Sequence, residues 1–305
     1  MTERPPALRL LEQDRRCRGA VGGRGQHTVG VSGAPGPEAY VLGHSEAELK
    51  RLAFQAQLVE PITRRLLVEA GVTSGMRVLD VGTGRGDVAF LVADLVGASG
   101  TVVGVDRASE AIAVARGRAE RAALANVSFV LGDPADVPSA APYDAVVGRF
   151  VLQWQPEPAE MLRQLASRLR PGGVLAFHEI DFVGRRSSPP VALWDRCCEL
   201  AVEVLSAGGA HIDSGSRLPS WFAAAGLPAP SMQMTATVGA GANCRAVARR
   251  LSGLIATLLP ALEQRGLVEP HEFDPGTLAK RLVRDVTATA SYVVNTSDLT
   301  AWIAV

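Results

Sequence analysis

Five short apolar runs, alternating with helix-patterned stretches, constrain this chain more than anything else in it. MRVLDVG (76–82), TVVGVD (101–106), VSFVLGD (127–133), YDAVVGRF (143–150) and VLAFHEID (174–181) are near-continuous and rich in Val, Leu and Phe. A strand with one wet face alternates apolar and polar residues. Runs without that alternation are buried on both faces, which is the condition of a parallel sheet covered by helices. Between them, GDVAFLVADLVG (86–97), ASEAIAVARGRAERAAL (108–124) and PAEMLRQLASRLR (158–170) carry apolar residues at helical spacing. The expected fold is α/β, a doubly wound and mostly parallel sheet of seven strands.

The flanks differ from this centre. Residues 1–36 are rich in Arg, Gly and Pro with no apolar period, and read as a disordered leader. Residues 37–75 read as an N-terminal helical cap, opened by Ser45 with Glu48 three residues on, a capping box, and broken into two helices by Pro61. Beyond the sheet core at 76–185, the segment 186–305 reads as a helical substrate-covering region. It holds helices at 189–208 and 216–226, a strand at 232–239, two amphipathic helices between 245 and 290, and a closing strand at 300–305. The last helical pair, placed between two strands, is a candidate lid over the site.

Composition removes several functions. Lys+Arg and Asp+Glu both number 31, so no broad basic field exists for nucleic acid. Lys50 and Lys280 are the only lysines and neither follows a Gly-rich turn, which excludes a P-loop and disfavours Schiff-base chemistry. Cys17, Cys197, Cys198 and Cys244 show no CxxC spacing, and the five histidines show no ligand spacing, so no metal is expected. No apolar run reaches membrane-spanning length, and a cytoplasmic protein without membrane partners is expected.

The chemistry concentrates where strands end. Asp80-Val81-Gly82-Thr83-Gly84-Arg85-Gly86 closes the first strand with glycines and opens a helix, as a close backbone approach to a ligand requires. The spacing is GxGxG, and Asp87 stands at the helix start, where a pyrophosphate would meet a like charge. Asp106-Arg107 ends the second strand, where an acid can accept from ribose hydroxyls. Gly132-Asp133-Pro134 follows the third, where an acid can accept from an adenine amine. Three acids on consecutive strand ends describe an adenosine with a cationic tail and no phosphate.

With these residues the chain resembles the class I S-adenosylmethionine-dependent methyltransferases, of the ubiquinone/menaquinone-biosynthesis type. VLDVGTGRGD, VVGVDRA, VLGDPADV, YDAVVGRFVLQW and LRPGGVLAFHEID carry the resemblance, which covers roughly 38–185. It implies S-adenosylmethionine as cofactor, with Asp80, Gly82, Thr83 and Gly84 on the methionyl tail. It likewise implies Asp106 with Arg107 at the ribose, Gly132, Asp133 and Pro134 at the adenine, and Arg149 lining the sulfonium pocket. Thr83 stands where the family often has Cys or Ser, and Arg149 where it often has Asn or His. A finer likeness, carried by Tyr40–Ser45 and Phe177–Asp181, is to bacterial natural-product methyltransferases, including those acting on prenyl groups or prenylated indoles. It implies Tyr40 as a cofactor contact.

Methyl transfer from a sulfonium asks mainly for alignment, and in some cases for a base. Glu179 is the favoured base and His178 the alternate, because neighbours on a strand face opposite ways. Trp154 and Asp181 are candidate acceptor contacts, whereas Trp194 and Trp221 sit among apolar neighbours as core. The acceptor is expected to be a small molecule methylated on carbon, oxygen or nitrogen, and a homo-oligomer is open. The competing readings are a catalytically silent S-adenosylmethionine-binding protein and a nicotinamide-dependent oxidoreductase.

Overall fold

The computed structural model describes residues 46–134, 137 and 141–305, with side chains from residue 51 onward. The expected leader, Tyr40 and the Ser45 cap lie outside these residues. In chain order the elements are α1 (Glu46–Glu69), β1 (Arg77–Val81), α2 (Asp87–Val96), β2 (Thr101–Asp106), α3 (Ser109–Arg121), β3 (Val127–Leu131) and β4 (Tyr143–Arg149). They continue with α4 (Pro158–Ala166), β5 (Leu169–Asp181), β6 (Arg186–Ser188), α5 (Ala192–Ala207), α6 (Ser214–Ala224), β7 (Ser231–Ala240), α7 (Arg245–Gln264), α8 (Leu278–Ala288) and β8 (Tyr292–Ala304).

The sheet runs β3-β2-β1-β4-β5-β8-β6, with β7 on the other edge of β8. From β3 to β5 every pairing is parallel, and β8 joins antiparallel. The eighth strand is a correction to the seven expected. β6 is a three-residue piece that takes up the β8 edge at Val294–Tyr292, beyond the point where β5 leaves it at Ser297.

Burial on both faces is visible residue by residue. Val78, Ala145, Val147, Val174 and Ala176 pack beneath α1, α2 and α3. Leu79, Val146, Leu175 and Phe177 point the other way, onto α4 and α6. A third cluster joins α5, α7 and α8 around Trp194 and Leu258. The α7–α8 pair does lie between β7 and β8, as the sequence led one to expect.

Pro61 does not break α1, contrary to expectation. It lies on the exposed side, so the Gln57 carbonyl that loses its amide partner is not sealed in the core. The buried stripe Val59, Ile62, Thr63, Leu66 and Leu67 holds the helix straight through.

Candidate functional site

The glycine turn after β1 has the conformation the sequence demanded. Gly82, Gly84 and Gly86 have φ of +62°, +52° and +83°, a region that side chains disfavour. Gly82 is tightly packed, since a Cβ there would sit 2.6 Å from Val151 Cγ2, whereas a Cβ on Gly84 would meet nothing within 4 Å. Gly84 is therefore the open lip of the turn. On β2, Gly104 lies opposite Asp80, and a Cβ there would come within 2.6 Å of Thr83 Oγ1. That strand glycine makes room for the Thr83 hydroxyl.

Thr83 donates to Asp80 Oδ2 at 2.6 Å, and Asp80 itself is fully buried. Its Oδ1 receives no hydrogen bond of ordinary geometry. Burial pushes the Asp80 carboxyl up to about 7; Thr83 and Arg149 pull against this, and Asp106 adds to it. Asp106 accepts from the Gly84 amide at 2.8 Å and from the Ala108 amide at 2.9 Å, one on each oxygen. A carboxylate has about four lone-pair sites, so each oxygen keeps acceptor capacity. Asp133 is ion-paired with Arg107, tying the ends of β2 and β3 together. Gly132 joins the same corner through its amide, which donates to the Asp106 carbonyl at 3.0 Å, and Pro134 is buried beside it.

The electrostatic weight given to Asp87 needs correction. Arg118, with only 4% of its side chain exposed, pairs with Asp87 at 2.8 Å. Burial alone would raise the Asp87 carboxyl, but Arg118, then Arg149, hold it below the usual range. Its charge is thus neutralised within the fold and does not by itself repel an anionic ligand.

At the next strand ends, Arg149 on β4 lies beside His178 on β5. Phe150 follows at φ +60°, unusual for a bulky residue, with its ring edge-on to His178 at 4.9 Å. His178 is fully buried, with Nδ1 3.0 Å from Thr63 Oγ1 and Nε2 3.2 Å from Asp298 Oδ1. Burial holds the imidazole below its ordinary pKa, against the pull of Asp298. The neutral ring then donates from Nε2 to Asp298 and accepts at Nδ1 from Thr63. Arg149 in turn donates to Thr63 Oγ1 at 3.3 Å.

Glu179 faces the opposite side and is already engaged. Its Oε1 accepts from the amides of Val151 and Leu152 at 2.9 Å each, and Oε2 from Gln153 at 3.3 Å. It anchors the start of the short 3₁₀ turn Leu152–Trp154 that follows β4. Burial raises this carboxyl to about 7 against those amides. Because Val151 is also the residue packed on Gly82, Glu179 supports the glycine turn from beneath. Acting as the expected base would take it off that turn. Asp181 is engaged too, accepting from the Val183 amide at 2.9 Å and from Ser216 on α6. Trp154 is partly buried against the α5–α7 core.

Sequence reasoning missed Thr63, Arg185, Arg250 and Asp298. Asp298 belongs to Asn295–Asp298, four polar residues buried inside β8. The signal was present as a polar island immediately before an apolar run, but the closing strand was expected only over 300–305, and β8 begins at Tyr292. Among the described residues no group of three or more His, Cys, Asp and Glu could hold a metal, and no helix is long and apolar enough to cross a membrane.

Comparison with known proteins agrees with this geometry. A family model described as a methyltransferase domain matches residues 72–226, just over half of the chain. The arsenite methyltransferase of Aquipseudomonas alcaligenes is 38% identical over 122 residues, covering 37% of this chain and 35% of that protein. The nocamycin O-methyltransferase of Saccharothrix syringae is 36% identical over 143 residues, 47% of this chain and 49% of that protein. The chain thus matches between about a third and a half of the length of these curated relatives. A methyltransferase candidate from Bacillus halodurans, solved by crystallography, has the same fold, with a TM-score of 0.54 and 17% identity over 79% of this chain and 97% of that one.

Proposed function

The chain belongs to the methyltransferase domain family, and from that membership we propose that it transfers a methyl group from S-adenosylmethionine to a small-molecule acceptor. The observation that carries the reading is the set of strand-end acids around a glycine turn whose Gly84 lip is open and whose Asp80 keeps one buried oxygen without a hydrogen bond of ordinary geometry.

The residues present fit that cofactor. Asp80 Oδ1, which receives no hydrogen bond of ordinary geometry, can accept from a cation, and the ammonium of a methionyl tail is one. Gly82, Thr83 and Gly84 would lie along the tail, Asp106 with Arg107 would take the ribose, and Asp133, between Gly132 and Pro134, the adenine amine. Tyr40, a cofactor contact implied by the resemblance, lies outside the described residues. When bound, the cofactor supplies a methyl group already activated by its sulfonium.

The chain's own work is then alignment and proton handling. Arg149 and Phe150, at the end of β4, would bound the space beyond the turn. We assign the proton-accepting role to His178 Nδ1, reached through Thr63, with Asp298 holding the ring in the required tautomer. Glu179 becomes a positioning residue for the 151–153 turn. The small-molecule acceptor is supported by relatives named for arsenite and nocamycin. The test is incubation with S-adenosylmethionine and a panel of small acceptors, reading S-adenosylhomocysteine and methylated product by mass spectrometry. Acceptor-dependent S-adenosylhomocysteine is expected. Binding without turnover on any acceptor would favour the silent cofactor-binding reading, and stabilisation by NAD alone the oxidoreductase one.

A further inference from the structure

Beside His178 the fold buries two guanidinium groups, those of Arg185 and Arg250, with N–H groups that no hydrogen bond satisfies. They share one carboxylate, Asp298, itself fully buried, whereas Arg149 also has Asp87, Asp80 and Glu60 acting on it. Asp298 is divided among them poorly. Its Oδ1 is taken by His178, and its Oδ2 lies 3.8 Å from Arg250 Nη1, an ion pair too long for a hydrogen bond.

The guanidinium groups are correspondingly bare. Arg250, on α7 and 4% exposed, has neither Nη1 nor Nη2 hydrogen-bonded, and Arg185 lacks partners at Nε and Nη1. Arg185 is laid over the Phe182 ring at 4.5 Å, which fixes its plane and leaves its edge available. The other groups near it are the thiols of Cys198 and Cys197, which burial pushes up to about 11 and about 12, so they remain neutral. A guanidinium cannot shed its proton to escape a buried site. Unpaired buried charge is costly unless an oxyanion completes it, and a fork of bare N–H groups matches a carboxylate.

We infer that Arg185 and Arg250 form an anion subsite that anchors a carboxylate of the methyl acceptor, between the α7 helix and β8. The surroundings are apolar, since α5 and α7 pack Trp194, Leu251 and Leu254 into one cluster with Phe150 and Trp154 partly buried against it. The acceptor class is therefore an apolar body bearing a carboxylate, with the reacting atom elsewhere on that body. Calling the ligand an acceptor rests on the methyl-transfer reading; the anion subsite does not.

The experiment titrates the S-adenosylhomocysteine-saturated chain with benzoate, 2-naphthoate and decanoate, each against its neutral amide, by calorimetry. At least one acid should bind at least tenfold more tightly than its amide. Arg250→Gln and Arg185→Gln should each remove that preference while S-adenosylhomocysteine affinity stays within a factor of about two. Arg250→Lys, which keeps the charge but not the fork, should retain part of it. If no acid outcompetes its amide on the wild-type chain, the inference is overturned regardless of how the variants fold. It is also overturned if the preference survives both Gln substitutions. Acid binding in a chain that ignores S-adenosylhomocysteine would leave the subsite standing and remove the methyl-transfer reading instead.

Discussion

S-adenosylhomocysteine should bind roughly tenfold more weakly at about pH 6 than at about pH 8, and Asp80 is the reason. In the free protein burial raises this carboxyl to about 7, so it is mostly protonated below neutrality. A cationic ammonium at Oδ1 demands the ionised form. With a free pKa of about 7, the ionised fraction goes from about one tenth to about nine tenths across that interval, which is about 1.4 kcal/mol of binding free energy. Below pH 7 binding should also release a proton, visible in calorimetry as a heat that varies with the ionisation enthalpy of the buffer. Glu179 titrates in the same interval, so the Asp80→Asn chain is the decisive control. The amide keeps an acceptor for Thr83 but cannot ionise, so its affinity should be lower at high pH and flat across the range. A flat wild-type profile, or an unchanged slope in Asp80→Asn, would refute the reasoning.

Gly84→Ala should lower stability by only about 1 kcal/mol, the cost of a left-handed alanine, because its Cβ meets nothing. It should nevertheless weaken S-adenosylhomocysteine binding at least tenfold by filling the open lip; calorimetry beside a thermal melt separates the two. Glu179→Ala strips three buried amides of their acceptor, and chemical denaturation should show a loss of about 1–3 kcal/mol. Any fall in its turnover should be matched by weaker cofactor binding through Val151 and Gly82; full loss of turnover with stability and binding intact would return Glu179 to the role of base. Asp80 and Glu179 both have folded pKa values raised above their unfolded ones, so the folded state holds extra protons between about pH 4 and 7. Their contribution to stability is largest at the acid end of that window and is lost as pH rises through about 7. Denaturant midpoints at about pH 5.5 and 8, compared with those of the Asp80→Asn chain, check the sign.

The sheet from β1 to β5 was legible because burial on both faces writes itself as unbroken apolar runs, and the glycine turn because glycine is favoured at its φ values. Elements that depend on distant partners were not legible. Pro61 reads as a break, yet the stripe around it packs on a sheet that local sequence does not show. Asn295–Asp298 lies before the closing strand expected at 300–305, and the partner of Asp298, His178, is 120 residues away, which local sequence does not show. Asp87 at the start of α2 and Glu179 near the end of β5 were both visible as acids. Their partners, Arg118 at thirty-one residues' distance and the amides after β4, decide what those acids do, and sequence spacing does not encode them.

The most direct measurement of the central claim is a calorimetric titration of the chain with S-adenosylhomocysteine and, separately, with NAD, repeated on Asp106→Asn. The account predicts saturable binding of S-adenosylhomocysteine and none of NAD. It also predicts a loss of about 1–3 kcal/mol in Asp106→Asn, because Asp106 Oδ2 accepts from the Gly84 amide of the turn and is proposed to hold the ribose. Binding of NAD in place of S-adenosylhomocysteine, or an affinity for S-adenosylhomocysteine that Asp106→Asn leaves unchanged, would contradict it.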